Sequence, residues 1–467
     1  MNYYIGIDLG TSSCKGSVVD RYGKVYGTHS VKYGVHCPAP NHSEQDPADW
    51  YSAAVGILKV LSAGIEDDIK GVSIAGQMHG LVMLDGNDNL IRPAILWNDG
   101  RSVKQTEYLN SLTETFEETG NTAFPGFTAP KILWVKENEP ENFAKCKKIC
   151  LPKDYLAYML TGVFSTDYSD AAGMLLLDVE HKKWSEKMCE ICGITADMLP
   201  ELYESYEITG KLKPGFGLKN AVMCAGAGDN AASAVGTGTL SDGDCSISLG
   251  TSGTVFLPCD EYITGAGRVL HNFCHSNGKY HLMGCILSAA SCDDWWTKKI
   301  LQTDYDKFTL EKAARTGVYF LPYLTGERCP HNDVNARGAF IGLSSETSRE
   351  DMCSAVYEGV AYALRDCIEA GGVSVKSAVL CGGGAKSPLW QAVVSNVLGV
   401  DIYVTETEQF GAAMLAMTGC GEYPDLVSCD EATVKKRLAA VPDNAIHEKY
   451  DTGFEVYKKL YPLLKEI

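Results

Sequence analysis

Two identical tetrapeptides are the first candidates for chemistry in this chain. Leu-Gly-Thr-Ser occurs at residues 9–12 and again at residues 249–252, each time after a run of alternating apolar residues. A glycine turn between two strands presents backbone N–H groups and small hydroxyls, which can hold phosphate oxygens. Two such turns could hold one polyphosphate from both sides, whereas either turn alone is more simply explained as an ordinary hairpin turn. The candidate phosphate contacts are Gly10, Thr11, Ser12, Gly250, Thr251 and Ser252.

The residue before each repeat differs in charge, being Asp8 in the first copy and Ser248 in the second. A carboxylate can hold, through water, the Mg²⁺ that accompanies a nucleoside triphosphate. At the second turn a carboxylate would face phosphates without a metal and repel them, while a neutral serine can donate a hydrogen bond. We therefore predict that Asp8 lies on the metal side of a phosphate site.

A third glycine turn, Cys-Gly-Gly-Gly-Ala-Lys-Ser at residues 381–387, lies between a predicted strand and a predicted helix. Glycines in this position let a nucleotide approach the backbone closely. The spacing is not that of a P-loop, which has four residues between its glycines and a following Lys-Ser or Lys-Thr. The turn predicts nucleotide contacts by Gly382, Gly383, Gly384 and Ala385.

Asp229 lies in Gly-Ala-Gly-Asp-Asn-Ala, at the end of a short strand of small residues. The segment fits a dinucleotide-binding pattern formally, but its mid-chain position and the central aspartate argue against that interpretation. A carboxylate at a strand end can orient a substrate hydroxyl and accept its proton during phosphoryl transfer. An equal alternative is that Asp229 caps the helix that follows.

Two further segments carry polar and aromatic residues next to buried strands. Met78 and His79 follow an apolar strand and lie between two glycines, and a lone histidine is more often structural than functional. Trp97 begins a mixed aromatic and polar corner that suits sugar binding and equally suits a satisfied buried turn. Both segments are candidate contacts for a sugar.

The elements that must position these residues repeat along the chain. Residues 3–34 read as successive strands with short turns, and residues 46–65 as a helix with Asp46 as its cap and Pro47 in its first turn. From Gly243 the same order of elements begins again, with a strand, a glycine turn and a second strand. The pattern predicts two related α/β domains, residues 1–240 and 241–467, with a cleft between them.

Composition limits the class of protein. The chain has 467 residues with 45% hydrophobic and 21% charged residues, and its net charge of −18 argues against nucleic-acid and anionic-membrane surfaces as partners. No export signal and no apolar run long enough to span a membrane are evident, so the 18 cysteines are expected to be reduced in the cytoplasm.

Several segments together resemble the FGGY carbohydrate kinases. Residues 126–138 (GFTAPKILWVKEN) and 338–358 (GAFIGLSSETSREDMCSAVYE) are similar to the two family signatures. Further similar segments, in order, are SEQDPADWY, IAGQMHGLVMLD, RPAILWNDGR, LPKDYLAYMLTG, SDAAGMLLLDV, GDNAASAVG, SLGTSGTVF, FLPYLTGERCPHN and CGGGAKS. The resemblance runs from the first strand to about residue 417 and implies a duplicated actin-like ATPase fold of the ribonuclease H-like type.

The resemblance also implies an activity, the ATP-dependent phosphorylation of D-xylulose at its 5-hydroxyl, with the sugar bound mainly by the first domain and ATP mainly by the second. It implies that Asp229 is the catalytic base and Asp8 the metal-linked aspartate. Met78 and His79 fall on the sugar-contact pair, where glycerol kinases carry Arg-Glu, and Asn230 is a further expected contact. The glycine turns at 10–12 and 250–252 fall on the phosphate sites, and 382–385 on the adenosine site.

Two positions depart from the family pattern. Ala227 replaces a glycine common in relatives, and Pro388 removes one N–H donor beside the nucleotide turn. The alternatives to a D-xylulose kinase are a kinase for another pentulose or a sugar alcohol, and a non-catalytic actin-like regulator that binds nucleotide. The paired Asp8 and Asp229 argue against the regulator, and the sequence leaves a homodimer open.

Overall fold

The structure is a computed structural model that describes residues 1–302, 317–405 and 410–466. The strands of the first half are β1 Tyr3–Leu9, β2 Ser13–Asp20, β3 Val25–Lys32, β4 Glu44–Gln45, β5 Ile69–Gly76, β6 Val82–Leu84, β7 Ala94–Ile95, β8 Lys148–Cys150, β9 Ser165–Asp167, β10 Leu177–Asp178, β11 Lys183–Trp184, β12 Glu201–Tyr203, β13 Ile208–Lys211, β14 Val222–Cys224 and β15 Ala227–Gly228. Its helices are α1 Pro47–Ser62, α2 Val103–Ser111, α3 Thr113–Thr119, α4 Thr128–Asn138, α5 Pro140–Lys145, α6 Pro152–Thr161, α7 Tyr168–Ala171, α8 Glu186–Cys192 and α9 Asp229–Gly236.

In the described part of the second half, the elements are fewer and longer. Its strands are β16 Asp244–Leu249, β17 Gly253–Cys259, β18 His271–Cys274, β19 Tyr280–Ile286, β20 Tyr319–Leu321, β21 Ala339–Ile341, β22 Ser377–Cys381, β23 Asp401–Thr405 and β24 Lys436–Ala440. Its helices are α10 Ala290–Asp294, α11 Arg349–Ala370, α12 Pro388–Leu398, α13 Gly411–Gly419, α14 Leu426–Thr433 and α15 Asn444–Leu464.

One sheet topology is used twice, which confirms the predicted duplication. The first sheet has the order β13-β14-β5-β1-β2-β3, and the second has β18-β19-β17-β16-β22-β23-β24. In each sheet the first strand of the half forms an antiparallel hairpin with the next strand and pairs in parallel with a later one, β5 or β22. Because the carboxyl ends of parallel neighbours meet at one edge, both halves place turns and strand ends side by side.

The Leu-Gly-Thr-Ser segments occupy equivalent hairpins. Leu9 pairs with Cys14 across the first turn, and Leu249 pairs with Gly253 across the second. The predicted helix after the first meander is α1, and the Asp46 carboxylate accepts a hydrogen bond from the backbone N–H of Ala48 at 2.9 Å, as a helix cap does. The sequence pattern therefore located these elements correctly.

Helices cover the first sheet on both faces, and the two sets come from different parts of the chain. On one face α1 and α6 pack against the strands around a core that includes Ile5, Trp50 and Leu156. On the other face lie α9 and α13, although α13 lies between β23 and β24 of the second sheet in sequence. In the second half α11, α12 and α15 enclose a separate core.

Helix α13 is pressed closely against the first half. The backbone N of Ala413 lies 2.7 Å from the place that a Cβ on Gly6 of β1 would take. A Cβ on Gly411 would lie 1.8 Å from the carbonyl oxygen of Ala232 in α9. Glycine at these positions is required by close backbone approach, and the buried alanines of α13 continue the contact. Helix α13, which belongs to the second half of the chain, thus packs tightly against the first sheet.

None of the helices that the structure describes has the length and apolar character needed to cross a membrane. All 18 cysteines are free thiols, and Cys37 is the exposed one. Cys189 and Cys192 form a Cys-x-x-Cys pair, and burial raises the pKa of Cys189 to about 11 and that of Cys192 to about 12, which keeps both thiols protonated near neutral pH.

We predict that Gly411→Ala destabilises the protein, because its methyl group cannot fit against the Ala232 carbonyl. The expected loss in the free energy of unfolding is about 1–3 kcal/mol, the usual range for overpacking. The matched control is Gly56→Ala in α1, where no atom lies within 4 Å of the new Cβ. That control should gain about 0.5–1 kcal/mol from helix propensity. Thermal unfolding midpoints that move equally in both variants would contradict the close contact.

Candidate active site

Two cavities meet at the carboxylate of Asp229. The first cavity has a volume of ≈ 190 Å³ and is lined by Met78, His79, Trp97, Phe124, Gly126, Phe127, Asp229, Asn230, Ser252, Thr254, His271, Met283, Cys285 and Arg328. The second cavity has a volume of ≈ 270 Å³ and is lined by Asp8, Gly10, Ala75, Asp229, Ala232, Ser233, Gly411 and Ala412. Asp229 can therefore contact ligands on both sides.

Asp229 lies between the two cavities because it directly follows the end of a strand. Strand β15 pairs in parallel with the end of β5, and α9 begins at the next residue. Gly228 holds the cap position of α9, so the interpretation of Asp229 as the helix cap is wrong. The Asp229 Oδ1 atom accepts hydrogen bonds from the backbone N and the side-chain Nδ2 of Asn230, at 2.7 and 2.9 Å. Asn230 thus orients the carboxylate and leaves Oδ2 for another partner.

The Asp8 carboxylate lies close enough to Asp229 to affect its ionisation. Burial and then the negative charge of Asp8 raise the pKa of Asp229 to about 7, against the opposing hydrogen bonds from Asn230. Burial also raises the pKa of Asp8, which Lys15 partly offsets. Neither carboxylate forms a salt bridge with any residue that the structure describes. Two partly buried carboxylates without a cation are a set of donors that would accept a divalent metal.

His79 is held in a strained conformation by its neighbours. Its φ is 66°, which is rare for a residue with a Cβ. Its carbonyl oxygen accepts hydrogen bonds from Thr128 Oγ1 and Lys131 Nζ, both at 3.0 Å, and these bonds fix the turn after β5. Burial lowers the pKa of Lys131 to about 7. The strained backbone indicates that the surrounding contacts fix the conformation of this turn.

The His79 ring is neutral and has a defined orientation. Its Nδ1 atom lies 2.7 Å from the carbonyl oxygen of Gly173, so Nδ1 carries the proton and donates. Burial lowers the pKa of His79 to about 3, and Phe127 packs against the ring at a centroid distance of 4.6 Å. Nε2 is therefore left as an acceptor for a hydroxyl group of a ligand.

The first phosphate turn is bound to the wall of the first cavity. Trp97 Nε1 donates to Thr11 Oγ1 at 2.9 Å, and that hydroxyl donates to Gln77 Oε1 at 3.0 Å. Thr11 therefore has no free hydroxyl proton, and Trp97 presents only its ring to the cavity. Gln45 Nε2 holds the Thr11 carbonyl at 2.6 Å. A phosphate contact by Thr11 would therefore use its backbone N–H group and not its hydroxyl.

The polar corner after Trp97 is structural. Asp99 accepts the backbone N–H of Ser43 and forms an ion pair with Arg101 at 2.7 Å, and Arg101 also pairs with Glu44 at 2.7 Å. The Arg101 side chain is only 2% exposed. Of the two interpretations of this corner, the satisfied buried turn is the one observed for Asp99 and Arg101, while Trp97 lines the first cavity.

The second phosphate turn faces the first cavity through Ser252. The carbonyl oxygens of Thr251 and Gly250 accept hydrogen bonds from the backbone N–H groups of Ala289 and Ala290, both at 2.9 Å, which fixes the turn against the start of α10. Ser252 and Asp229 therefore line one space although they belong to different halves.

The third glycine turn lies next to the second phosphate turn because β16 and β22 are parallel neighbours. A Cβ at Gly382, which has a φ of 80°, would lie 2.8 Å from the Leu249 carbonyl oxygen. Pro388 occupies the first turn of α12, where an N–H has no acceptor within the helix, and Ser387 is the cap. The turn at 382–385 lines neither of the two cavities.

Sequence reasoning missed several residues of the first cavity. Phe127 lies within the segment that matches the first family signature, Phe124 lies just before it, and Arg328 lies in the similar segment FLPYLTGERCPHN, so both segments carried a signal. His271 carried none. Because Ser252, His271 and Arg328 come from the second half, both halves contribute to this cavity.

Two family models match the chain. The model of the N-terminal domain of the FGGY family of carbohydrate kinases matches residues 3–236, and that of the C-terminal domain matches residues 245–420. The xylulose kinase of Escherichia coli (strain K12) is 39% identical over 99% of both chains. The xylulose kinase of Bacillus subtilis (strain 168) is 37% identical over 100% of this chain and 98% of its own.

Solved structures agree with these matches. A protein described as a xyloylose kinase from Brucella ovis has a TM-score of 0.94 and 37% identity, with full coverage of both chains. The glycerol kinase of Plasmodium falciparum has a TM-score of 0.87 at 23% identity over 99% of this chain and 98% of its own, which shows a shared fold. The family models and these relatives show that the chain belongs to the FGGY family of carbohydrate kinases.

Proposed function

We propose that this chain transfers the γ-phosphoryl group of ATP to the 5-hydroxyl of D-xylulose, giving D-xylulose 5-phosphate and ADP. The observation that carries the proposal is Asp229, a carboxylate with its pKa raised to about 7 that lines both cavities. The names of the similar xylulose kinases support the choice of sugar. In this proposal the first cavity binds the sugar, and the second cavity lies on the phosphate side.

The chemistry follows from the arrangement around Asp229. The sugar hydroxyl hydrogen-bonds to Asp229 Oδ2, and His79 Nε2 accepts a hydrogen bond from another hydroxyl of the sugar. As the hydroxyl oxygen attacks the γ-phosphorus, Asp229 takes the proton, and the bond to the β,γ-bridging oxygen breaks with its electron pair leaving on ADP. A base with a pKa near the working pH is suited to this transfer.

Asp8 would hold Mg²⁺, through water, on the phosphate side of Asp229. The uncompensated carboxylates fit a divalent cation, and Mg²⁺ usually takes one or two carboxylates together with substrate phosphates. Among the described residues no cluster of three or more His, Cys, Asp or Glu side chains could hold a metal alone. When bound, Mg²⁺ neutralises charge on the phosphates.

The nucleotide would lie across the two halves. We propose that the turns at 10–12 and 250–252 bind its phosphates through backbone N–H groups and that Gly382–Ala385 contacts the adenosine. Residues 1–240 and 241–467 are the proposed domains. Cytoplasmic location is proposed from the free thiols, and a homodimer is left open.

Two other functions remain to be tested against this one. A kinase for another pentulose or a sugar alcohol would share the same frame, and an actin-like regulator would bind ATP without turnover. ADP formation measured with D-xylulose, other pentuloses, sugar alcohols and no sugar separates the three. The proposal fails if D-xylulose gives no more ADP than the sugar-free reaction.

We predict that Asp229→Asn lowers kcat by about 10²- to 10⁴-fold while sugar binding is largely kept. The amide has the shape of the carboxylate and keeps the hydrogen bonds from Asn230, but it cannot accept the proton. Steady-state kinetics and calorimetric binding of D-xylulose measure the two effects. The exposed Asp197→Asn is the control, and near-normal turnover in Asp229→Asn would remove the base from the mechanism.

The pH dependence offers a separate test of the carboxylate pair. Asp229 acts when ionised, so kcat/KM should rise with pH up to about 7 and then level off. Asp8→Asn removes the neighbouring negative charge, so the pKa of Asp229 falls and the midpoint of the profile moves to lower pH. The profile of Asp8→Asn is recorded with excess enzyme to compensate for its lower turnover. An unchanged midpoint would show that the two carboxylates are not coupled.

We predict that His79→Phe lowers kcat/KM for D-xylulose roughly 5- to 150-fold, the range for a lost buried hydrogen bond. Phenylalanine keeps the packing against Phe127 but has no acceptor for a hydroxyl. The preference for D-xylulose over glycerol should fall as well. The exposed His181→Phe is the control, and an unaltered sugar preference in His79→Phe would make His79 a structural residue.

A further inference from the structure

One wall of the first cavity is built by strands of the second half. Thr254 of β17 pairs with Cys285 of β19, and Met283 of β19 pairs with His271 of β18. Alternate residues of a strand point to one face, so Met283 and Cys285 form one row together with their partners. This row and Arg328 face the first-half residues that include His79 and Asp229 across a cavity of ≈ 190 Å³.

Arg328 brings a positive charge to this wall. Its Cζ atom lies 5.0 Å from the centroid of the Phe124 ring, which fixes the guanidinium plane beside the cavity. Its backbone is fixed as well, because Glu327 Oε1 accepts the N–H groups of Arg328 at 2.7 Å and of Leu287 at 3.0 Å. No residue that the structure describes forms a salt bridge or a side-chain hydrogen bond with the guanidinium. Its five N–H donors therefore remain for a ligand.

Arg328 lies toward the histidine side of the cavity. The Phe124 ring beside its guanidinium lies 5.4 Å from the ring of His271 and 5.6 Å from that of Phe127, which packs against His79. The ring of His271 is 2% exposed, and its Nδ1 atom has no hydrogen-bond partner in the described residues. The Arg328 guanidinium and the His271 ring thus lie at the end of the cavity that Phe124 and Phe127 line.

We propose that Arg328 recognises the sugar by donating two hydrogen bonds to the C1 hydroxyl and the C2 carbonyl of the ketopentose. This inference rests on the kinase function proposed above, in which the 5-hydroxyl lies at Asp229. A pentulose held at that end extends its C1–C2 end into the rest of a small cavity. A guanidinium only donates, and its planar fork matches two adjacent acceptor oxygens. The sugar would then connect His79 and Asp229 of the first half with Arg328 of the second.

The test compares Arg328→Gln with Arg337→Gln on D-xylulose and on 1-deoxy-D-xylulose, which lacks the C1 hydroxyl. Arg337 is the matched control because it is exposed and its guanidinium bonds to the carbonyls of Val334 and Ala336. Arg328→Gln should raise KM for D-xylulose about 10- to 100-fold with kcat within about threefold, since a lost charged hydrogen bond weakens binding in ground and transition states alike. Arg337→Gln should stay within about twofold of the wild type for both constants.

In the wild type, KM should be higher for 1-deoxy-D-xylulose than for D-xylulose. In Arg328→Gln this fold-change in KM should be at least about fivefold smaller, because both changes delete the same contact. The proposal is overturned if the effects of Arg328→Gln and of C1 hydroxyl removal on KM multiply, or if kcat falls while KM is unchanged. In either case Arg328 does not contact the C1 end of the sugar. Calorimetric titration with D-xylulose in the absence of ATP measures sugar binding separately from phosphoryl transfer, so failure of the kinase proposal and failure of the Arg328 proposal can be distinguished. If the wild type neither binds nor phosphorylates D-xylulose, both proposals fail. If it does and Arg328→Gln behaves like the wild type, only this inference fails.

Discussion

The repulsion between Asp8 and Asp229 is the constraint on which the site depends. Like charges in a partly buried cleft are unfavourable, and among the residues described neither carboxylate forms a salt bridge, although the charge of Lys15 partly offsets the raised pKa of Asp8. A proton, or a cation that arrives with a ligand, relieves the remaining unfavourable energy. A site built in this way is more stable when loaded than when empty, and the asparagine that orients Asp229 keeps the carboxylate in place during that exchange.

Because the fold is duplicated, the same sheet edge occurs in both halves and carries a different turn in each. In the first half the turn after β5 carries Met78 and His79, and in the second half the turn after β22 carries Gly382–Ala385. Both turns lie beside a Leu-Gly-Thr-Ser hairpin, because both strands pair in parallel with the first strand of their half. One copy has a methionine and a neutral histidine at this position, and the other has small residues that pack closely against Leu249.

The sequence was informative where function depends on local structure. Strand ends and glycine turns are encoded within a few residues, so the sequence alone was enough to place Asp8, Asp229 and the two hairpins. The family resemblance predicted His79 as a sugar contact, but the tautomer of its ring depends on Gly173, which lies 94 positions away. His271 and Arg328 became neighbours of Phe124 only through packing of the second half against the first. No periodicity or spacing encodes such contacts, and the same is true of the Trp97 bond that occupies the Thr11 hydroxyl.

The position of α13 has a consequence for motion. The chain passes from the first half to the second between α9 and β16, returns to the first sheet with α13 and α14, and goes back to the second sheet at β24. Any relative movement of the two sheets must keep α13 in its close backbone contacts at Gly6 and Gly411 or break those contacts. A fragment that stops before α13 would leave one apolar face of its sheet without the helix that covers it.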